Sequence, residues 1–210
     1  MKMILLGAPG AGKGTQAEIL SGLLNVPTIS TGNILRAAMK NGTPVGLEAK
    51  SYVEAGKLVP DSVIIGIIRE RLAEPDCDNG FILDGVPRTI PQAEAMEALG
   101  IDMDTALSIE VDDDVIVERM GGRRTCPACG GTFHVVNNPP KTEGICDNCG
   151  AELVVRKDDA PETVKARLVT YHRETEPLKD FYKERGKLVE VENQPTIEAT
   201  TEAIRAALGI

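Results

Sequence analysis

The sequence of 210 residues predicts an α/β fold: a parallel five-stranded sheet flanked by helices, with two inserted segments. Three observations lead there. Short apolar runs bounded by turn residues recur along the chain, most stretches between them carry apolar residues at helical spacing, and two segments break the alternation. Strands that alternate with helices are joined by crossovers rather than hairpins, so they pair in parallel and take helices on both faces.

The first strand is the apolar run at 3–6, which stops at the glycines of "GAPGAGKGT" (7–15). Helical spacing resumes over 13–24, so a buried strand feeds a helix through a glycine-rich loop. "VPTIS" (26–30), "GFILDG" (80–85), "TALSIEV" (105–111) and "GKLVEVE" (186–192) supply the other four strands. Helices are expected over 32–41, 44–55, 62–73, 90–98, 113–120, 161–185 and 195–208. Pro44 and Pro161 suit a first helical turn, where a missing N–H costs nothing, and Asp61 suits the cap before 62–73. Residues 31–59 hold two helices with no strand between them, and residues 122–159 hold four cysteines amid Gly, Pro and Asn. Both read as insertions at the carboxyl ends of strands, where open parallel sheets bind ligands.

Composition narrows the function. Hydrophobic residues make up 42% of the chain. No apolar run approaches the roughly 18 residues of a membrane span, and the start lacks the order of a signal peptide, so the expectation is a soluble, cytoplasmic protein with no membrane partner. A net charge of −9 and the absence of Trp argue against a nucleic-acid partner, which would want a basic face and stacking aromatics. An anionic substrate must therefore meet a local cluster of Arg and Lys in an acidic body.

Two motifs carry chemistry. Glycines at 7, 10, 12 and 14 let backbone N–H groups turn inward around an anion, the following helix adds its positive end, and Lys13 adds a full charge. A phosphate loop of the usual pattern places a hydroxyl directly after the lysine to ligate magnesium. Here Gly14 stands in that slot, and Thr15 comes one residue late. The second motif is Cys126 and Cys129, sixteen residues, then Cys146 and Cys149, the spacing of a four-thiolate metal site. Four protein ligands leave no position open for substrate, so this metal folds its segment. Zinc is the first choice, and a single iron suits the same thiolates. His134 is expected to be structural, and Cys77 an inert loop thiol.

The motifs "GAPGAGKGTQ", "STGNILR", "GKLVPD", "GFILDGVPRTIPQA", "GRR", "RKDDAPETVKARL" and the paired cysteines, in this order, resemble those of the long-lid bacterial adenylate kinases. The likeness runs across essentially the whole chain. It implies a core of 1–29, 60–121 and 160–210, an AMP-binding insertion at 30–59 and a lid at 122–159. It places the ATP phosphates on Gly10, Ala11, Gly12, Lys13, Gly14 and Thr15 with Arg119 and Arg123, and the ATP base beside Thr132, Phe133 and Gln194. Arg119 and Arg123 would share a helix face if the helix continues that far. AMP is expected at Thr31, Arg36, Lys57, Leu58, Val59, Gly85, Val86, Pro87, Arg88, Gln92, Arg156 and Arg167, with Thr31 also suited to cap the helix at 32–41. Gln92 follows Arg88 by four, which would put readers of base and phosphate on one side of a helix. Lys13, Arg88, Arg123, Arg156 and Arg167 would serve the transferring group. Arg69, Arg71, Arg173, Arg185 and Arg205 lack such a context and read as surface.

The resemblance also answers the missing hydroxyl. In that family magnesium is held largely by phosphates and by water oriented by carboxylates, and Asp84 matches one of these. Asn33 departs from the family, which usually has Asp there, and brings no charge. The implied function is reversible phosphoryl transfer from MgATP to AMP giving two ADP, by a monomer, with direct attack and no protein nucleophile. Two other readings stay open. One is a kinase for a different nucleoside monophosphate, and the other a nucleotide-dependent switch whose zinc lobe binds a partner.

Overall fold

A computed structural model describes residues 1–210. Its main sheet has five parallel strands in the order β2-β3-β1-β4-β7: β1 Lys2–Leu6, β2 Thr28–Ser30, β3 Phe81–Asp84, β4 Thr105–Glu110 and β7 Leu188–Glu192. Strand β1 is apolar on both faces because both are covered. Ile4 and Leu6 join Ile29 and Leu83 in one core cluster, and Met3 and Leu5 join Ile82, Leu107 and Ile109 in another. On the second face lie α1 Lys13–Leu24 and α9 Ile197–Leu208, which contribute Ala17, Leu20 and Ile204. The first face takes α2 Thr31–Lys40, α3 Pro44–Glu54, α4 Asp61–Leu72, α5 Ile90–Ala98 and α8 Leu178–Glu184. Truncating a fully buried side chain such as Ile82 to Ala would cost about 2–5 kcal/mol.

The insertions differ in how they are supported. Leu35, Ala49 and Val59 of segment 30–59 belong to the large core cluster, so that segment shares the core's apolar packing. Segment 122–159 is different. After α6 Asp113–Gly122 it forms a two-stranded antiparallel ribbon, β5 Arg123–Thr125 with β6 Thr132–His134, over a cluster of only three buried residues: Cys126, Phe133 and Cys146. No helix of the fold is long and apolar enough to cross a membrane.

Several local expectations change. The helix expected over 161–185 is broken: α7 Pro161–Thr170 runs into a π turn at Tyr171–Thr175, and α8 restarts after Pro177. Pro177 has no N–H for the helical ladder, and the Glu176 N–H reaches back five residues to the Tyr171 carbonyl. Helix α6 ends at Gly122, so Arg119 lies on a helix and Arg123 begins a strand. They do not share a helix face. Ser30, not Thr31, caps α2, its hydroxyl accepting from the Asn33 N–H, a contact worth about 1 kcal/mol. Asp61 is the first residue of α4 rather than its cap, and its carboxylate accepts from Gln92 Nε2 at 2.7 Å. Residues 26 and 27 fall outside β2, where Pro27 has no N–H for a ladder.

Candidate active site

The carboxyl ends of β1, β2 and β3 open into a cleft of about 680 Å³, floored by the glycine-rich loop and roofed by segment 122–159. Gly12 precedes α1 at φ 91 with no side-chain cap, which leaves the first N–H groups of the helix free to face an anion. Lys13 Nζ donates to the carbonyls of Gly7 at 2.7 Å and Ala8 at 2.8 Å. Burial pushes its ammonium down to about 8; Asp84 opposes this, and Arg88, Arg167 and Arg123 add repulsion. The register sets Asp84 opposite Leu5, at the edge where β1 enters the loop. A Cβ on Gly14 would stand 3.8 Å from Asp84 Oδ2. The slot where other phosphate loops carry a hydroxyl therefore faces a carboxylate here.

Six arginines line the cleft: Arg36, Arg88, Arg119, Arg123, Arg156 and Arg167. Most are held from one side, which leaves N–H groups of each fork unengaged by protein. Arg88 Nε donates to the Gly85 carbonyl at 2.8 Å, and Arg156 Nε to Thr125 Oγ1 at 2.8 Å. Arg123 is gripped by the fully buried carboxylate of Asp159, and Arg167 donates to Asp158 Oδ2 at 2.9 Å. Arg119 Nη1 donates to Asn193 Oδ1 at 3.2 Å. Burial lowers Arg36, Arg88, Arg156 and Arg167 from their ordinary values, and for Arg156 the neighbouring Arg123 and Arg36 add to it.

Both ends of the cleft hold residues that the sequence singled out for bases. At one end Thr31, Lys57, Leu58, Val59, Gly85, Pro87 and Gln92 line it. Thr31 Oγ1 donates to the Gly85 carbonyl at 3.0 Å, and Gln92 is buried, its Oε1 accepting from the Arg88 N–H at 2.7 Å. Val86 is not among the lining residues; its side chain is fully buried in the core. At the other end lie Thr132, Phe133, Gln194, Gly10, Ala11 and Thr15, with Phe133 also packed into the small cluster of segment 122–159. His134 holds its own loop, Nδ1 accepting from the N–H groups of Val136 and Asn137 at 3.0 Å. Asp158, Asp159 and Asn193 were missed as holders of the arginines. The first two lie in the quoted stretch "RKDDAPETVKARL", where adjacent carboxylates between two arginines are the readable signal; Asn193 carries none.

The sulfurs of Cys126, Cys129, Cys146 and Cys149 all lie within 4.8 Å of one another, with Cys126–Cys149 at 3.4 Å and Cys129–Cys146 at 3.5 Å. The edge of a tetrahedron with bonds of about 2.3 Å is about 3.8 Å, so four thiolates at this spacing fit one zinc. Backbone N–H groups face the sulfurs as well. Against burial, which raises it, those of Cys129 and Ala128 bring the Cys126 thiol down to about 6. Cys77 is elsewhere, buried in the turn Pro75–Cys77, and burial raises its thiol.

A glycine-rich phosphate loop with its lysine, sharing one cleft with six half-held guanidinium groups, suits transfer of a phosphoryl group between two anions, the work of a phosphate-loop kinase. Comparison with known proteins makes the class specific. A family model described as adenylate kinase matches residues 5–187. Over its whole length the chain is 55% identical to the whole of an adenylate kinase of Caldicellulosiruptor bescii, and 52% identical to one of Bacillus subtilis, of which it covers 98%. The chain belongs to the adenylate kinase family.

Proposed function

We propose that this cleft carries out the family's reaction, reversible phosphoryl transfer from MgATP to AMP giving two ADP, with the residues below in the roles given. The observation that carries the reading is the convergence of the glycine-rich loop, Lys13 and six arginines on one cleft. Transfer between polyanions is mainly positioning and charge neutralisation, which this set supplies without a protein nucleophile.

The ATP phosphates lie on the backbone N–H groups of residues 10–15, and Lys13 gives up its two carbonyl partners to serve the β and γ oxygens. Arg119 and Arg123 hold the same nucleotide, with Thr132, Phe133 and Gln194 around its base. Arg36 and Arg88 take the AMP phosphate, with Thr31, Gln92, residues 57–59 and the backbone of 85–87 around its base. Arg156 and Arg167 reach between the two. Asp84, whose Oδ2 accepts from Ser30 Oγ at 3.4 Å, would be the carboxylate that supports the hydration of magnesium bound with ATP, and that ion would neutralise charge on the phosphates. Zinc on the four thiolates folds the lid and touches no substrate.

Segments 30–59 and 122–159 are the mobile parts around a core of 1–29, 60–121 and 160–210. Lys40 Nζ donates to the Pro127 carbonyl at 3.4 Å and Lys157 pairs with Glu54 at 3.5 Å, contacts that suit a lid resting on the AMP insertion and excluding water, the competing acceptor. The cleft needs no residue from a second copy, which supports the reading of a monomer. The test is ADP formation from ATP with AMP, GMP, CMP, UMP or dAMP. AMP should be fastest by far, and faster transfer to a pyrimidine or guanine nucleotide would refute the base assignment.

A further inference from the structure

Asn33 lies in the first turn of α2 and lines the cleft, and its side chain is bonded to Arg36 one turn further along the same helix. Its Oδ1 accepts from Arg36 Nη2 at 2.6 Å. Since a guanidinium only donates, the atom facing it must be the amide oxygen, and the Nδ2 end is thereby turned toward the lid. The first cysteine turn lies close by: Gly130 has φ 80, and only its lack of a Cβ leaves room for the Asn33 amide, since a Cβ there would stand 3.1 Å from Nδ2. The backbone N–H of Asn33 is already satisfied by Ser30 Oγ, so the side chain has no capping duty of its own.

We propose that Asn33 is a positioning residue for AMP capture. Its oxygen fixes one arm of the Arg36 fork, so the remaining N–H groups of Arg36 are aimed at the AMP phosphate. The geometry assigns this position to the AMP side of the reaction rather than to the water around magnesium. The inference rests on the reading of Arg36 as a ligand of the AMP phosphate.

The experiment measures KM for AMP, KM for ATP, kcat and the magnesium requirement of the full-length protein and four variants: Asn33→Ala, Asn33→Asp, Arg36→Ala and the double alanine variant. Losing an acceptor for a charged donor in a half-open site should raise KM for AMP about fivefold in Asn33→Ala. KM for ATP and the half-maximal magnesium concentration should stay within about twofold, as should the melting temperature within a few degrees, because Ala is a good helix former at that position. Asn33→Asp keeps an acceptor oxygen and should hold KM for AMP within about twofold of the parent, and the double variant should bind AMP no worse than Arg36→Ala. If Arg36→Ala weakens AMP and Asn33→Ala does not, the positioning role is wrong while the reading of Arg36 stands. If Arg36→Ala leaves AMP unaffected, that reading falls and the inference with it. A raised magnesium requirement in Asn33→Ala with unchanged AMP kinetics would also overturn it, by returning Asn33 to the metal.

Discussion

Nucleotide binding should become pH-dependent above neutrality, through Lys13. In the empty cleft burial holds its ammonium at about 8 against an ordinary 10.5, despite the attraction of Asp84. A phosphate chain brings opposite charge against the ammonium and favours the protonated form, raising its pKa in the complex. The bound state then holds more protons than the free one between the two values. Below pH 8 Lys13 is already charged and affinity should be flat on its account. From pH 8 toward 10.5 each unit should cost about tenfold in affinity, about 1.4 kcal/mol, up to about 300-fold if binding restores the ordinary value in full. Calorimetric titration with the magnesium complex of a non-hydrolysable ATP analogue, from pH 7 to 9.5 in buffers of different ionisation enthalpy, reads both the affinity and the protons taken up. About half a proton per nucleotide is expected at pH 8. Lys13→Met should bind more weakly at pH 7, show no uptake above pH 8 and lose turnover. Equal affinity of the parent at pH 7 and 9.5, or the same steep decline in Lys13→Met, would refute the reasoning.

Cys149→Ser, or a chelator, should lower the melting temperature of the lid while activity well below it largely survives, since three buried residues are a small core for that segment; loss of catalysis without loss of stability would mean a catalytic metal. Asp84→Asn should raise the magnesium concentration for half-maximal rate and cut kcat sharply, read in a titration at fixed ATP and AMP. In the same titration Thr15→Ala should respond to magnesium like the parent, because the slot after Lys13 faces Asp84; a lost magnesium response would make the displaced hydroxyl the ligand.

The sheet was legible because each strand is a short apolar run between turn residues, and because the glycines after residue 6 announce a loop between strand and helix. Local signals were weaker where two residues competed for one role. Ser30 and Thr31 both make good caps, and only the chain path shows that the hydroxyl of Ser30 meets the Asn33 N–H while that of Thr31 reaches Gly85. The apolar spacing through Val164, Leu168, Tyr171 and Leu178 reads as one helix, and Pro177 was the sign that it breaks. The pairing of Arg123–Thr125 with Thr132–His134 left no pattern, since three-residue strands are too short for period two to register. At the site, glycine and cysteine spacing located the loop and the thiolates, and the resemblance assembled the cleft residues, which come from distant parts of the chain. What went unseen was how each arginine is held. A carboxylate or amide that grips a guanidinium from behind needs no fixed sequence interval, so Asp159 and Asn193 could not be paired with Arg123 and Arg119 by spacing alone.

The half-held arginines have a consequence for when the cleft shuts. Lys13 and six arginines share about 680 Å³ in a chain whose net charge is −9. The cleft is thus locally cationic within a chain that is acidic as a whole. Burial is what most disfavours the charged forms of Arg156 and Arg167; Asp158 and Asp159 oppose it, and the neighbouring arginines, Arg123 and Arg36 for the first and Arg123 and Arg88 for the second, add repulsion. An empty shut cleft is therefore a self-repelling cage, and each phosphate that enters acts as its counterion. One nucleotide would remove part of this repulsion and two would remove most of it.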